Sequence, residues 1–397
     1  MSSRSEALIT PSVIKWAREK AKLSIEEAAS KIRRPPEDIK NWENGSLKPS
    51  IAQARNAARV YRRPLAMFYL PEPPSDFSTL RDFRSLPGQE LRKYSPELTL
   101  LIRNTRYRQE WMKEYLVKEG ADRLAFVGSS SIKDDPRDVA KSIREIIDIS
   151  IKEQKKCKTP YDYLLLWLKK SESSGIFVFR QRQIRLKEAR GFILSNEIAP
   201  FIFINSDDSK AGQLFTLVHE LAHLWIDKSG VSNIESSGSS VDEDAKQTEI
   251  FCNEVAAQTL LEQNAFKEEW RLQNPDLNIR ERIYKTAGIF NVSEEVVARR
   301  LLELDVISKS LYSELREYYQ KRWRDYKKRE KRRFSKSKGG PSYYVITLSQ
   351  NGYAFTETVV GAYAGGSISG RDASALLNVK TNNIHKLGQT AGIFINE

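Results

Sequence analysis

Residues 215–223 read Phe-Thr-Leu-Val-His-Glu-Leu-Ala-His. His219 and His223 are four residues apart, so on a helix they lie one turn above each other on a single face. Both imidazoles can then reach one ion at the zinc–nitrogen distance of about 2.0–2.1 Å. Glu220 follows the first of them, where its carboxylate can meet a water beside the metal and take its proton. The chain has 3 histidines, and two of them fall in this motif. That concentration favours a metal helix over two histidines packed by accident.

Working outward, three short β-rich runs precede the motif: Ile176-Phe177-Val178-Phe179, Gly191-Phe192-Ile193-Leu194 and Phe201-Ile202-Phe203-Ile204. Gly, Pro and Asn bound them, as expected for strands. They predict a small sheet leading into a helix from Lys210 to about Asp227. A Gly/Ser-rich loop is expected at 229–240, a second helix at about 242–262, and shorter helices over 280–304. A catalytic zinc needs a third protein ligand. The extended form H-E-x-x-H-x-x-G-x-x-H is absent, because Ile226 and Ser229 stand at its Gly and His positions. His385 is remote. A carboxylate is therefore expected, from Asp227, Asp242, Glu243, Asp244 or Glu249. Glu249 fits best, since the apolar face of its helix (Phe251, Val255, Leu260, Leu261) must pack inward and carry it towards the first helix. Cys252, one turn on, reads as a buried apolar thiol. Asn253 reads as a group that orients a ligand or bonds backbone.

Helices are also expected over 96–119, from Pro136 through Ile147, and over 160–171. Residues 71–95 are Pro-containing and predict a linker. The last unit starts after Gly339-Gly340-Pro341, with Tyr343-Tyr344-Val345-Ile346 read as a strand and two helices within 352–377.

The chain has 397 residues and a formal net charge of +13. The excess sits in residues 1–70, net +7, and 321–338, net +9, leaving the remainder at −3. Both basic regions can meet phosphate, although a charge run is most often a solvated face followed by a linker. The apolar runs are far shorter than the roughly 20 residues that span a bilayer, and Met1–Glu6 has no apolar signal core. Two cysteines cannot make a disulfide framework, so a reducing cytoplasm is expected and no membrane partner. The metal motif excludes a purely structural protein as the leading reading.

The segment 215–223, followed by Glu249-Ile250-Phe251-Cys252-Asn253-Glu254-Val255-Ala256-Ala257, resembles the ImmA/IrrE family of zinc metallopeptidases. Arg190-Gly191-Phe192 and Pro200–Asn205 resemble the strands of that family. The resemblance implies that His219, His223 and Glu249 bind Zn2+ and that Glu220 is the general base. Its usual ending, two leucines then Met-Pro, stands here as Leu260-Leu261-Glu262-Gln263. Family members cleave transcriptional repressors, so a protein substrate of that kind is implied.

Near the N-terminus, Ser24 with Glu27 forms a capping box. A second short helix opens at Pro35-Pro36, carries Ile39 and Trp42, and ends at Gly45. Two such helices fit a helix-turn-helix. Residues 39–45 with Lys48-Pro49-Ser50 resemble the XRE (Cro/repressor-like) family. Arg33 stands where that family usually has Gly, and Ile25 where it often has Gln. Glu37 and Asp38 at the start of the recognition helix would repel phosphate. Arg33, Arg34, Lys40 and Asn41 are the candidate DNA contacts.

The expected fold is α+β and mostly helical: an all-α helix-turn-helix bundle at 1–70, the linker 71–95, a helical lead-in at 96–174, a zincin-like protease core with a small β-sheet at 175–305, a basic helix and linker at 306–340, and a small C-terminal α/β unit at 341–397. The expected function is a zinc endopeptidase acting on a regulatory protein. The attached domain would bind DNA or a repressor, with dimerisation through the same surface. The rival is a transcriptional regulator or toxin–antitoxin component whose protease-like domain senses or docks.

Overall fold

The computed structural model describes residues 6–74, 81–82, 95–228, 230–232, 243–334 and 340–393. The fold is α+β and mostly helical, as the sequence predicts. The chain divides into two compact units, Met1–Leu80 with Gly88–Thr105, and Arg81–Pro87 with Arg106–Glu397.

The first unit contains α1 (Pro11–Lys20), α2 (Ile25–Ile32), α3 (Pro36–Asn44), α4 (Ile51–Val60), a 3-10 turn at Leu65–Tyr69 and the first part of α5 (Pro96–Lys118). The capping box of α2 forms as read: the Ser24 hydroxyl accepts from the Glu27 N–H, and the Glu27 carboxylate accepts from the Ser24 N–H. Ser50 and Gln53 repeat the device on α4. Arg33 closes α2 in the left-handed region at φ 61°. That explains why a glycine is usual there, and an arginine costs about 1–3 kcal/mol that the packing around it must offset. Val13, Ile14, Ala17, Ala28, Ile39 and Trp42 are among the core residues. At its edge Arg18 donates twice to the Glu43 carboxylate, at 2.6 and 2.9 Å, with both side chains largely withdrawn from water.

The second unit is built on a five-stranded sheet in the order β1-β5-β3-β4-β2. The strands are β1 (Arg81–Asp82), β2 (Phe177–Gln181), β3 (Gly191–Leu194), β4 (Phe201–Asn205) and β5 (Gly230–Ser232). β2 runs parallel to β4 and β1 parallel to β5, while β3 is antiparallel to both β4 and β5. Before and between the strands lie α6 (Pro136–Ile146), α7 (Ile151–Lys156), α8 (Pro160–Ser173) and α9 (Lys210–Trp225). After them come α10 (Glu243–Leu260), α11 (Gln263–Leu272), α12 (Ile279–Phe290), α13 (Glu294–Glu303) and α14 (Lys309–Phe334). α9 packs against α8, α10, β3 and β4, and α10 packs on α6.

Two short strands fall where the sequence predicts only linker and loop. β1 lies within 71–95 and β5 within 229–240; the rest of the linker past 74 and most of that loop lie outside the described residues. So does the linker that closes the basic segment, at 335–339.

The C-terminal unit departs from the α/β expectation. Its described residues form α15 (Tyr343–Asn351), α16 (Tyr353–Ala364), α17 (Gly370–Leu377) and α18 (Ile384–Thr390), with no strand among them. Tyr343–Ile346 has high β-propensity, yet it is the first turn of α15. The Ser342 hydroxyl caps that turn by accepting from the Val345 N–H, and the helical period carries Thr347 and Asn351 inside. α15 lies against β2, and Phe355 of α16 packs on Phe179 and Phe201.

A candidate metal centre

α9 begins at Ser209, whose hydroxyl accepts from the Gly212 N–H. Every side chain from Gln213 to Trp225 is buried. A helix apolar around most of its circumference belongs in a core, so the polar groups His219, Glu220 and His223 are held inside protein on all sides.

The structure brings His219, His223 and Glu249 together, and of the other candidate ligands Asp227 and Asp244 stand outside that cluster. The two Nε2 atoms are 3.1 Å apart. Glu249 Oε2 is 3.5 Å from His219 Nε2, and Glu249 Oε1 is 3.2 Å from His223 Nε2. Around a tetrahedral ion with bonds of about 2.0–2.1 Å, neighbouring ligand atoms stand about 3.3–3.4 Å apart. The three observed separations bracket that edge, so these donors fit a zinc-sized ion by both geometry and atom type. Both histidines are fully buried, while Glu249 keeps 15% of its side chain exposed. Asp227 accepts a hydrogen bond from the Ser195 hydroxyl at 2.5 Å, and Asp244 is exposed. Asp242 lies outside the described residues, as does the Glu243 side chain.

Burial alone would raise the Glu249 carboxyl, but the facing His219 and His223 outweigh it and hold the group down at about 2. Burial lowers His223, and the hydrogen bond with Glu249 only partly offsets this. A carboxylate oxygen and two imidazole nitrogens are the donor types of a catalytic zinc site. Cys252 is fully buried and its thiol is pushed up by burial, in keeping with an inert apolar thiol. Asn253 is buried with its Oδ1 unbonded among the described residues.

Glu220 is fully buried too. Its position is set by a residue not singled out as functional from the sequence, Gly191 at the start of β3. A Cβ there would stand 2.9 Å from Glu220 Oε1, 2.9 Å from the Phe203 carbonyl and 2.5 Å from Thr216 Cγ2. Only the missing side chain lets α9 settle this close to the sheet with the Glu220 carboxyl over the strand. Gly212 does similar work for Asp208, whose carboxylate lies 2.6 Å from where a Cβ would be. Asp208 in turn accepts from Arg190 at 2.8 Å, joining the start of α9 to the residue before β3. The sequence signal was the bare Arg190-Gly191 pair; its physical reason is tertiary.

In the first unit, two of the four candidate DNA contacts are engaged by acids of α3, Lys40 from the same helix and Arg34 from the turn before it. Arg34 bonds Asp38 at 2.8 Å, and Lys40 bonds Glu37 at 3.2 Å. Asn41 Oδ1 accepts from the Ser46 hydroxyl at 3.1 Å. Arg33 is exposed. Exposed ion pairs of this kind are worth about 0–1 kcal/mol, so phosphate could displace them.

Comparison with known proteins agrees with both units. Residues 172–302 match the model of a peptidase family described as the IrrE N-terminal-like domain. Residues 14–68 match a helix-turn-helix family model. No curated protein matches the chain. The chain thus joins a helix-turn-helix of the XRE type to a metallopeptidase-like domain of the ImmA/IrrE type. No helix among the described residues is long and apolar enough to cross a membrane.

Proposed function

We propose that this protein is a zinc-dependent endopeptidase that cleaves a regulatory protein, a transcriptional repressor, and that its helix-turn-helix brings it to DNA or to that repressor. The observation that carries the reading is the His219, His223 and Glu249 cluster with Glu220 beside it. Zinc held by those three residues would supply a Lewis acid for the peptide carbonyl and acidify a water. Glu220 is the general base: a carboxylate oxygen accepts the proton of the attacking water and passes it to the departing amine nitrogen. Gly191 leaves room for that carboxyl against the sheet, and its burial keeps bulk water from competing for the proton. Glu249, packed in through α10, holds the negative charge that balances the ion. On DNA, the ion pairs of Arg34 and Lys40 would open to reach phosphate.

The test is elemental analysis of purified wild type and Glu249→Ala. About one zinc per wild-type chain, lost in the variant, supports the three-residue site and justifies a search with Glu220→Gln as a trap for uncut substrate. No zinc in wild type, with none taken up on reconstitution, would favour a regulator in which the peptidase-like domain docks or senses.

A further inference from the structure

Beside the metal helix the second unit has a long groove of about 1930 Å³. Small-molecule sites are about 300–1,000 Å³, so this one is the size of an extended polypeptide. One end is at Gly212 and Phe215 of α9, and the Phe215 ring stacks on the His219 ring with centroids 6.5 Å apart. The wall formed by α12 and α13 carries apolar Ala287, Ile289, Val292, Val296 and Leu302 interleaved with charged Lys285, Glu294, Glu295, Arg299 and Glu303.

The wall formed by α14 differs. Arg316 is 3.4 Å from Glu295, and Arg322 pairs with Glu294, so these arginines are spent tying α14 to α13. Further along, Arg324 and Arg329 also line the groove, are exposed, and make no ion pair among the described residues. Between them lies an aromatic surface, with the Trp323 and Tyr326 rings stacked at 5.4 Å. At 1.5 Å per residue, Tyr319 to Arg329 spans about 15 Å, or about four to five residues of extended chain.

We propose that the groove receives the substrate as an extended polypeptide, its apolar part next to the metal helix and an acidic stretch of four to five residues against Trp323, Arg324, Tyr326 and Arg329. The assignment of the occupant as substrate rests on the endopeptidase reading. Charge and polarity select protein over nucleic acid. Asp207, Glu254 and Glu303 line the rest of the groove and would repel a continuous phosphate chain, while Asp325 sets a single acid against Arg324 and Arg329 on the α14 wall. The apolar side chains of the α12 and α13 wall offer a phosphate backbone nothing, but they suit the side chains of a polypeptide.

The test uses the full chain carrying Glu220→Gln and fluorescence anisotropy. The probes are a fluorescein-labelled 15-residue peptide joining a Leu/Phe segment to an Asp/Glu segment, its Asn/Gln counterpart, and a 15-nucleotide single-stranded DNA. The acidic peptide should bind about tenfold more tightly than its amide counterpart. Arg324→Glu with Arg329→Glu should remove that preference, as expected for losing two exposed charge contacts of up to about 1 kcal/mol each and replacing them by repulsion. Both positions are exposed, so circular dichroism should stay unchanged, and Trp323→Ala should weaken both peptides alike. Equal affinity for the two peptides, or a preference untouched by the double substitution, overturns the proposal. So does arginine-dependent binding of the oligonucleotide with no peptide preference. Wild type that takes up no zinc on reconstitution yet still shows the arginine-dependent peptide preference would remove the peptidase reading and keep the groove. A zinc-loaded protein that cleaves protein without that preference would do the reverse.

Discussion

Substituting Gly191→Ala tests the packing that seats Glu220. In an ordinary strand, alanine in place of glycine stabilises by about 0.5–1 kcal/mol, because the unfolded chain has less freedom to lose. Here the new Cβ would lie 2.5 Å from Thr216 Cγ2 and 2.9 Å from both Glu220 Oε1 and the Phe203 carbonyl. Carbon atoms rest about 3.5–4.0 Å apart, so the closest contact is short by about 1 Å and three neighbours must give at once. Overpacking of this kind costs about 1–3 kcal/mol, which reverses the sign of the exchange. For a unit of this size, the unfolding midpoint of the second unit should fall by about 2–8 °C. Thr216→Ser removes the methyl that makes the closest contact and leaves the hydroxyl. The double variant should therefore recover part of the loss, with a coupling of about 0.5–2 kcal/mol by a double-mutant cycle in urea. A Gly191→Ala protein as stable as wild type, or two substitutions that simply add, would refute this account of how α9 meets the sheet.

Other groups give independent checks. Burial pushes the Glu172 carboxyl up to about 7 from 4.5, although the Tyr353 N–H donates to it. A raised carboxyl pKa penalises the folded state as pH climbs, so stability should fall between about pH 4.5 and 7 by up to about 3 kcal/mol. Glu172→Gln should flatten that decline in urea titrations; a wild-type curve parallel to the variant's would contradict it. Glu43→Ala leaves the Arg18 guanidinium without its bidentate partner and should destabilise the first unit by about 3–5 kcal/mol by calorimetry. A loss under about 1 kcal/mol would mean water replaces the carboxylate freely. Native protein should offer a thiol reagent at most Cys157, which is half-buried, and release Cys252 only in denaturant. Two rapid equivalents without denaturant would show that α10 opens.

The metal cluster was legible from residue spacing because its geometry is helical: i and i+4 on α9, and a carboxylate on the inward face of α10. The capping box of α2 and the helices at Pro136 and Pro160 were legible for the same local reason. β1 and β5 were not, since Arg81-Asp82 and Gly230-Val231-Ser232 are too short to show alternation and exist only because a neighbouring strand pairs with them. The first turn of α15 misled because four consecutive β-favouring side chains read as a strand and the Ser342 cap before them went unread. The serine cap, with burial of the next turn, prevails in the fold. Gly191 meets Thr216 and Glu220 from 25 and 29 positions away, and Glu172 meets Tyr353 from 181, so no short window of sequence holds both partners.

The pairing of Arg81↔Gly230 and Asp82↔Val231 has a practical meaning for anyone cutting this chain. A fragment beginning at Arg106 would free the peptidase-like half, yet it would discard the outermost strand of its own sheet. β5 would then present a row of unsatisfied backbone amides and carbonyls, a template on which another copy can add. Fragments that start after residue 82 are therefore expected to self-associate through that edge, and those that keep Arg81-Asp82 to stay dispersed.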